Sequence, residues 1–285
     1  MSETAAEPLK GEDWAGEMGE RWLANLDRFE AMIAPIGDAL LARAAYEPGE
    51  RVLDIGPGGG ATTQAIARAV APGGEALGID IAPGLVSEAT RRAEAEGIAN
   101  ARFLCADAGE VSLDEPPFDR LFSRFGSMFF AEPAAAFANL RSLLKAGARI
   151  DLAVWGPPRE NLWMMEMMGV VREHVEVPRA EPRAPGPFAF EDLDYLREVL
   201  AAAGFGAPDI DAYEGKQAIG GRDASPAEAL DMVLSSMGVG RVVDEQEEAL
   251  REAIRADLLA LFEQRYVPGE GVLMAAKAWL VTARA

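Results

Sequence analysis

A glycine-rich turn and two separate aspartates are the residues of this sequence that could bind a ligand. The turn, "GPGGG" at residues 56–60, directly follows the short apolar run "VLDI". Because glycine lets the backbone come close to a ligand, such a turn can present N–H groups and a helix N-terminus to it. Asp80 follows Gly56 by 24 residues, where an acid accepts hydrogen bonds from ribose hydroxyls, and Asp107 ends a third apolar run. Together they indicate a nucleoside-containing ligand.

The residues alone leave other interpretations of this pattern open. Gly56 and Gly58 with Ala61 also satisfy a loose G-x-G-x-x-A fingerprint, which is typical of nicotinamide dinucleotide sites. The glycines could serve only to make a tight turn, and each aspartate could be a solvated residue at a strand end. The joint placement of the two acids favours a ligand site over either simpler interpretation.

Alternating strands and helices must position these residues. Five short apolar runs predict strands, and the segments between most of them have helical composition. This order predicts an α/β, doubly wound, mostly parallel seven-stranded sheet of Rossmann-like type, in which the ends of neighbouring strands share one edge. The predicted strands are 52–55, 75–81, 101–107, 118–125 and 148–156, with later strands at 209–219 and 272–284.

Two further regions lie outside this alternation. The apolar spacing of residues 14–45 predicts helices, with Pro35 in the first turn of the second one. The segment after Trp155 is rich in proline, and 225–265 predicts two or three inserted helices. We therefore expect one domain over 1–285, divided into a helical cover (1–45), a ligand-binding core (46–156), a lid or cap (157–190 and 222–268) and a closing strand (269–285).

Composition excludes several classes of protein. The net charge of −20 argues against unaided binding to nucleic acid or to an anionic membrane, because phosphate contacts need Lys or Arg. No apolar stretch is long enough to predict a membrane span, and the start of the chain lacks the pattern of a signal peptide. Cys105 is the single cysteine, which we expect to be a buried side chain. These features predict a soluble cytoplasmic protein.

The motifs "VLDIGPGGG", "ALGIDIA", "FLCADAGEV", "FDRLFSRFGSMFF" and "WLVTAR" resemble those of the class I S-adenosylmethionine-dependent methyltransferases, in their bacterial small-molecule branch. The resemblance runs from about residue 14 to 285 and is strongest over 51–156. It implies a Rossmann-like fold, S-adenosyl-L-methionine as the cofactor, and methyl transfer as the reaction.

The same resemblance implies roles for individual positions. The methionine portion of the cofactor would lie against Asp54 and the glycine turn, its ribose against Asp80, and its adenine against the residues that follow the second and third strands. Pro57 stands where many members have cysteine or another small residue. The full set implied for the cofactor is Asp54, Gly56, Pro57, Gly58, Asp80, Ile81, Asp107, Ala108, Ser123, Arg124 and Phe125.

A base is needed only if the acceptor must lose a proton. His174 is the single histidine and the obvious candidate, although its neighbours Glu173 and Glu176 favour a solvated ion pair instead. Arg124 could clamp an anionic acceptor or pair with a surface acid. The sequence therefore leaves the catalytic residue unassigned.

Two groups of apolar residues could line the acceptor pocket or belong to the core. One is the Met-rich stretch "LWMMEMM", because methionines adapt to irregular apolar ligands. The other is the pair of tryptophans in the predicted cover, which could lie over the cofactor. The candidates for the acceptor pocket are Trp14, Trp22, Trp163, Met164, Met167 and His174.

These observations predict an enzyme that methylates a small organic acceptor, on oxygen rather than on nitrogen or carbon. Methylation of a peptide or protein carboxylate or side chain is the alternative within enzymes. The alternative from another class is a regulatory subunit that binds a cofactor or metabolite without turnover. We expect no metal, no nucleic acid partner and no membrane contact, and homodimer formation is left open.

Overall fold

A computed structural model describes residues 13–177 and 181–285. Residues 1–12 of the predicted cover and 178–180 of the predicted lid lie outside this part of the chain. The helices are α1 Glu17–Ala24, α2 Leu26–Ala44, α3 Ala61–Ala69, α4 Pro83–Ala95, α5 Pro133–Ser142, α6 Leu162–His174, α7 Leu193–Ala202, α8 Pro226–Ser236, α9 Gly238–Asp244 and α10 Glu248–Arg265. The strands are β1 Arg51–Ile55, β2 Glu75–Asp80, β3 Ala101–Cys105, β4 Phe118–Arg124, β5 Leu144–Trp155, β6 Asp209–Ile219, β7 Tyr266–Val267 and β8 Gly271–Arg284.

The strands form one sheet in the order β3-β2-β1-β4-β5-β8-β6. The first five of these strands are parallel, and β8 runs antiparallel to both β5 and β6. The two-residue strand β7 pairs with β8 beside the main path. The predicted mostly parallel, seven-stranded, doubly wound sheet is therefore confirmed, with one short additional strand.

The centre and the edge of this sheet differ in burial. In β1, which pairs with strands on both sides, Val52 to Ile55 are buried, as expected for a central parallel strand. In contrast, β3 lies at the edge of the sheet, and its last residue, Cys105, is exposed. The prediction that Cys105 is buried is wrong, because an apolar run does not show whether a strand is central or at an edge.

The N-terminal helices lie against both the glycine turn and the sheet. The break between α1 and α2 falls at Asn25, so Pro35 lies inside α2 rather than in its first turn. The prediction that Pro35 lies in the first turn is wrong. Proline cannot donate a backbone hydrogen bond inside a helix, and the packing of α2 outweighs this single loss. Asn25 donates to Ser236 Oγ of α8 at 2.6 Å, and this contact joins the cover to the inserted helices.

The C-terminal half of α2 covers one face of the sheet. Arg43 is paired with Asp209 and Asp211 at the start of β6, and it also donates to Thr282 of β8 at 3.1 Å. Such contacts fix the direction of α2 across the sheet, so its N-terminal half lies near the carboxyl ends of the parallel strands. The helix thereby brings side chains of the predicted cover to the edge where a ligand would bind.

The predicted insertion consists of three helices, α8 to α10, before the closing strand. A capping box begins α8, because Ser225 Oγ accepts from the Glu228 N–H while the Glu228 carboxylate accepts from the Ser225 N–H. The start of α6 is fixed to β8 by Asn161, which donates to Lys277 O and accepts from Lys277 N at 3.1 and 3.0 Å. The division of the chain into cover, core, lid and closing strand stays a prediction.

Hydropathy also separates these helices from membrane spans. In residues 13–177 and 181–285, every helix is either too short or too polar to cross a bilayer.

Candidate functional site

The glycine turn after β1 has the backbone conformation that its composition predicts. Gly56, Gly58 and Gly60 have φ values of +65°, +57° and +82°, a region that side chains other than glycine rarely adopt. A Cβ at Gly56 would lie 2.8 Å from the Cα of Gly126, which follows β4. The turns after β1 and β4 therefore touch backbone to backbone, and both positions need glycine.

Asp80, the last residue of β2, lies against this turn. Its Oδ2 accepts from the Gly58 N–H and its Oδ1 from the Ala82 N–H, each at 3.0 Å. The side chain is buried, and this burial raises the pKa of the Asp80 carboxyl, although the backbone donors oppose the shift. The carboxylate is thus held by backbone groups at the place where the sequence predicts a ribose.

Asp54, in β1, is fully buried, and only one of its two carboxylate oxygens has hydrogen-bond partners among the described residues. Its Oδ2 accepts from the hydroxyls of Thr62 and Thr63 at 2.7 Å each, whereas its Oδ1 has no hydrogen-bond partner in the described part of the chain. Burial raises the pKa of the Asp54 carboxyl to about 6, against the opposing effects of both threonines and Arg124. A buried carboxylate oxygen without a partner is costly, so this position fits a ligand that carries hydrogen-bond donors.

The residues predicted to surround adenine lie at the next two strand ends. Asp107 is exposed, and its Oδ1 accepts from the Gly109 N–H at 2.7 Å. Ala108 is buried, while 41% of the Ile81 side chain is exposed, which is unusual for a large apolar residue beside a buried strand. An apolar ring would cover part of this surface. The structure thus brings the three positions to one edge, and their predicted contacts with adenine stay predictions.

The segment after β4 combines tight packing with an unusual backbone. Ser123 Oγ donates to Ile55 O at 2.9 Å and accepts from the Ser127 N–H, so this hydroxyl joins the turns after β1 and β4. Phe125 has a φ of +67° and stacks on Trp155, with ring centroids 4.0 Å apart. The Ser123 side chain is therefore used within the fold, where the residue is fully buried, and its predicted contact with the cofactor stays a prediction.

Arg124 is buried and paired with Glu30 of α2, whose side chain is only 12% exposed. This partner is neither a surface acid nor an acceptor molecule. The pair connects the end of β4 to the cover, and the second Glu30 oxygen would lie 3.8 Å from a Cβ at Gly58. Sequence reasoning missed Glu30, because a single acid in an amphipathic helix gives no signal of its burial.

Aromatic residues of the cover lie beside the glycine turn. Trp22 stacks on Phe29 at 3.8 Å, and its Nε1 would lie 3.5 Å from a Cβ at Gly58. Trp14 contacts Trp22 and Phe129 edge to face, at 5.5 and 4.9 Å between centroids. Trp22 is thus close to the predicted cofactor position and Trp14 packs on it, and the predicted role of Trp14 and Trp22 as a cover stays a prediction.

Pro57 and the Met-rich helix belong to the packed interior. Pro57 is buried against β2, where a Cβ at Gly78 would lie 2.9 Å from its ring. Trp163 and Met167 are 5% and 0% exposed within the main core, and only Met164 of this group is half-buried. Trp163 still lies near the edge through its contact with Trp155, at 5.2 Å between centroids. The predicted acceptor contacts of Trp163, Met164 and Met167 stay predictions.

His174 lies at the far end of α6 from Trp163. The two residues are eleven positions apart, which corresponds to about 16 Å along the helix axis. Its Nε2 is 2.7 Å from Asp257 Oδ2 of α10, and not beside the neighbouring glutamates. The expected ion pair with Glu173 or Glu176 is wrong, because α10 brings a partner that is remote in sequence. His174 therefore links the two helices, away from the strand ends.

No group of three or more His, Cys, Asp or Glu side chains suited to a metal ion occurs within residues 13–177 and 181–285. The groups that converge at the carboxyl edge are instead carboxylates, backbone N–H groups and aromatic rings. Such a set can bind a nucleoside with a cationic tail and can exclude water, but it contains no obvious nucleophile.

Comparison with known proteins agrees with this geometry. A family profile described as "Methyltransferase domain" matches residues 52–147. Aklanonic acid methyltransferase DauC of Streptomyces sp. (strain C5) is 34% identical over 116 residues, 41% of this chain and 53% of that protein. Demethylmenaquinone methyltransferase of Thermus thermophilus is 29% identical over 167 residues, 55% of this chain and 74% of that protein. The chain spans about half the length of most of the curated relatives it matches.

Solved structures extend the likeness to nearly the whole fold. The [4+2]-cyclase SpnF superposes with a TM-score of 0.55 over 98% of both chains, at 17% identity. At this identity the likeness concerns the fold alone. The methyltransferase profile covers the region that carries the glycine turn, Asp80 and Asp107, so residues 52–147 are similar to a methyltransferase domain.

Proposed function

We propose that this protein transfers the methyl group of S-adenosyl-L-methionine to an oxygen atom of a small organic molecule. The observation that carries the proposal is the convergence of Asp54, the glycine turn and Asp80 at one edge of the sheet. The curated relatives named above, a methyltransferase for aklanonic acid and one for demethylmenaquinone, act on small molecules by their names, which supports the acceptor class.

The residues of this edge fit the cofactor. Asp54 Oδ1 is a buried acceptor that lacks a partner among the described residues, and an ammonium group of a ligand would satisfy it. Asp80 already accepts two backbone hydrogen bonds, and a carboxylate has further lone pairs for ribose hydroxyls. At Gly58, the missing Cβ leaves the backbone open toward Trp22 and Glu30 of the cover, where part of the cofactor would lie. Asp107, Ile81 and Ala108 would face the adenine.

When bound, S-adenosyl-L-methionine would supply a methyl carbon on a cationic sulfur, which the acceptor attacks directly while the sulfur leaves as a neutral thioether. The residues of this chain then have two tasks, to align the acceptor and to exclude water. The ring of Trp22 contributes to the second task, because it lies beside Gly58 of the glycine turn, and Trp14 and Phe29 pack against it. Phe125 and Trp155 form a stacked apolar wall at the ends of β4 and β5.

The site also bears on whether a base takes part. His174 is bound to Asp257 at the other end of α6, so its position does not favour a role as the base. An acceptor that is already ionised, such as a carboxylate, needs no base, whereas a neutral phenol would have to lose its proton. The proposal of O-methylation therefore concerns an acceptor whose hydroxyl is acidic enough to lose its proton without a base.

The alternatives are weaker but distinct. A peptide or protein substrate would need an open approach, and the position of Trp22 beside Gly58, with Trp14 packed on it, favours a small molecule instead. A subunit that binds the cofactor without turnover stays an alternative, since a [4+2]-cyclase shares the fold and a fold does not determine a reaction. We expect the protein to act in the cytoplasm on a small molecule and without nucleic acid, and its oligomeric state is a matter for measurement.

Methyl transfer can be tested directly with labelled cofactor. Purified protein is incubated with S-adenosyl-L-methionine labelled in its methyl group and with fractions of a bacterial extract separated by size. We expect label in a compound below about 1 kDa that is stable to protease, and no label when Asp80→Ala replaces the wild-type protein. Label in protein would support the peptide alternative. Cofactor binding without any transfer would support the regulatory alternative.

A further inference from the structure

Gln217 of β6 is a buried side chain whose polar atoms have no partner. It is 2% exposed, and neither its Oε1 nor its Nε2 forms a hydrogen bond within residues 13–177 and 181–285. An unpaired buried amide destabilises a fold, and leucine or methionine at this position would avoid that cost. The side chain is therefore better explained by a bound molecule than by packing.

The strand register places Gln217 on a defined face of the sheet. Gln217 is opposite Met274 of β8, while Tyr213 is opposite Ala278, which in turn is opposite Trp155 of β5. Directly opposite residues share a face, and so do alternate residues of one strand. Gln217, Tyr213 and Trp155 therefore project from the same face.

The same face leads to the predicted cofactor position. Arg124 is opposite Ala153, two residues before Trp155, so it also projects from this face, where Glu30 of α2 binds it. Phe125, the next residue after Arg124, stacks on Trp155. A molecule against Gln217 and Trp155 would therefore lie beneath α2 and beside the end of β4.

A second polar group points toward Gln217 along β6. Gly215 lies between Tyr213 and Gln217 on the same face, and a Cβ at Gly215 would be 2.8 Å from the Tyr213 hydroxyl oxygen. The phenol ring thus lies over the glycine, with its hydroxyl turned toward Gln217. Burial, and to a smaller extent Asp38, raises the pKa of Tyr213, so this hydroxyl is a protonated donor at neutral pH.

We propose that Gln217, assisted by Tyr213, recognises the methyl acceptor, and that the acceptor is a neutral aromatic molecule with a hydrogen-bond donor and a hydrogen-bond acceptor side by side. A carboxamide offers one N–H and one C=O side by side, which match a lactam or a ketone with a neighbouring hydroxyl. Met274 and Trp155 on the same face suit an aromatic ring, and the net charge of −20 disfavours an anion. This inference rests on the proposed function.

Two small lactams provide a direct test. 2-Quinolone has the paired donor and acceptor, and N-methyl-2-quinolone has the same rings without the donor. We expect the wild-type protein, saturated with S-adenosylhomocysteine, to bind 2-quinolone about tenfold more tightly than N-methyl-2-quinolone in calorimetry, as for one lost buried hydrogen bond. Gln217→Leu should remove this preference. Gln264→Leu, at an exposed position of α10, is the matched control and should keep it.

A second measurement separates recognition from packing. The side-chain amide signals of Gln217 in a nitrogen-15 spectrum, identified by their absence in Gln217→Leu, should shift with 2-quinolone and not with the N-methyl compound. The melting temperature of Gln217→Leu should equal or exceed that of the wild type, because the variant loses an unpaired polar group. A purely structural glutamine would show no ligand-dependent shift and a lower melting temperature on replacement.

The possible outcomes distinguish this inference from the proposed function. Equal binding of both lactams, no measurable binding to the wild type, or a preference that persists in Gln217→Leu would overturn the recognition role. Binding of S-adenosylhomocysteine is measured on the same samples. If the wild type fails to bind it, the proposed function is wrong. If it binds while the lactam preference is absent, only the role of Gln217 is wrong.

Discussion

Protonation of Asp54 should control how tightly the cofactor binds. Burial raises the pKa of this carboxyl to about 6, so in the free protein it is mostly protonated at pH 5 and mostly ionised at pH 8. If the cofactor ammonium binds the unpaired Oδ1, it binds the ionised form better. Affinity for S-adenosylhomocysteine should therefore rise as the pH rises through about 6.

The size of this effect follows from the pKa. One pH unit below a pKa of about 6, roughly one molecule in eleven is ionised, so the dissociation constant at pH 5 should be about tenfold higher than at pH 8. The free protein should show the matching trend in stability. Since the folded pKa lies above the unfolded value of 3.8, ionisation costs the fold about 3 kcal/mol, and the free energy of unfolding should fall between about pH 4 and 6.

Calorimetric titrations at pH 5, 6, 7 and 8 would measure the dissociation constants, and buffers with different ionisation enthalpies would count the proton released. Asp54→Asn keeps an oxygen for Thr62 and Thr63 and should flatten both the binding profile and the stability profile. Asp80→Asn is the necessary control, because burial raises the pKa of Asp80 as well. Constant affinity over this pH range, or a slope that survives in Asp54→Asn, would refute the reasoning.

Two further predictions concern the other acids and the histidine. Asp80→Ala should weaken binding of S-adenosylmethionine by about 1.5–3 kcal/mol, as for lost charge-assisted hydrogen bonds, and Asp107→Ala should weaken it less; equal or absent effects in calorimetry would contradict the assigned roles. His174→Gln should keep the turnover rate within a few-fold, because His174 is bound to Asp257 away from the strand ends. A loss of about 10²–10⁴ in turnover with unchanged cofactor affinity would instead identify a general base.

Local sequence patterns predict most of the sheet, because each strand and each glycine turn is encoded within a few residues. The five parallel strands and the closing strand lie close to their predicted positions. The failures concern information that is not local. Cys105 is exposed because β3 is an edge strand, and α2 continues through Pro35 because its packing outweighs one missing hydrogen bond.

The residues of the candidate site also fall into two groups, those that local sequence patterns indicate and those that they do not. The sequence indicates Asp54, Asp80 and Asp107, since each lies at or next to the last residue of a predicted strand, and parallel strands bring such residues to one edge. It does not indicate Glu30 or Gln217, which reach that edge only through the packing of α2 and the register of β6 with β8. Residues predicted to bind the cofactor can thus be found from sequence motifs. Candidates for acceptor recognition can be found only once the tertiary structure is known.

Two of the unpaired buried atoms, Tyr46 OH and Arg120 Nε, differ in their surroundings from those of Asp54 and Gln217. Tyr46 OH and Arg120 Nε lie away from the candidate site, where the Arg120 guanidinium is already bound to Asp151 at 3.0 Å and packs on the Tyr46 ring. There the unpaired atoms belong to groups with other strong contacts, so the network needs no ligand. The Gln217 amide has no hydrogen bond at all within the described residues, and Asp54 keeps one of its oxygens unsatisfied, although both are buried. Buried polar groups without a hydrogen-bond partner destabilise the folded protein. A cofactor that binds Asp54 and an acceptor that binds Gln217 would therefore each raise the free energy of unfolding.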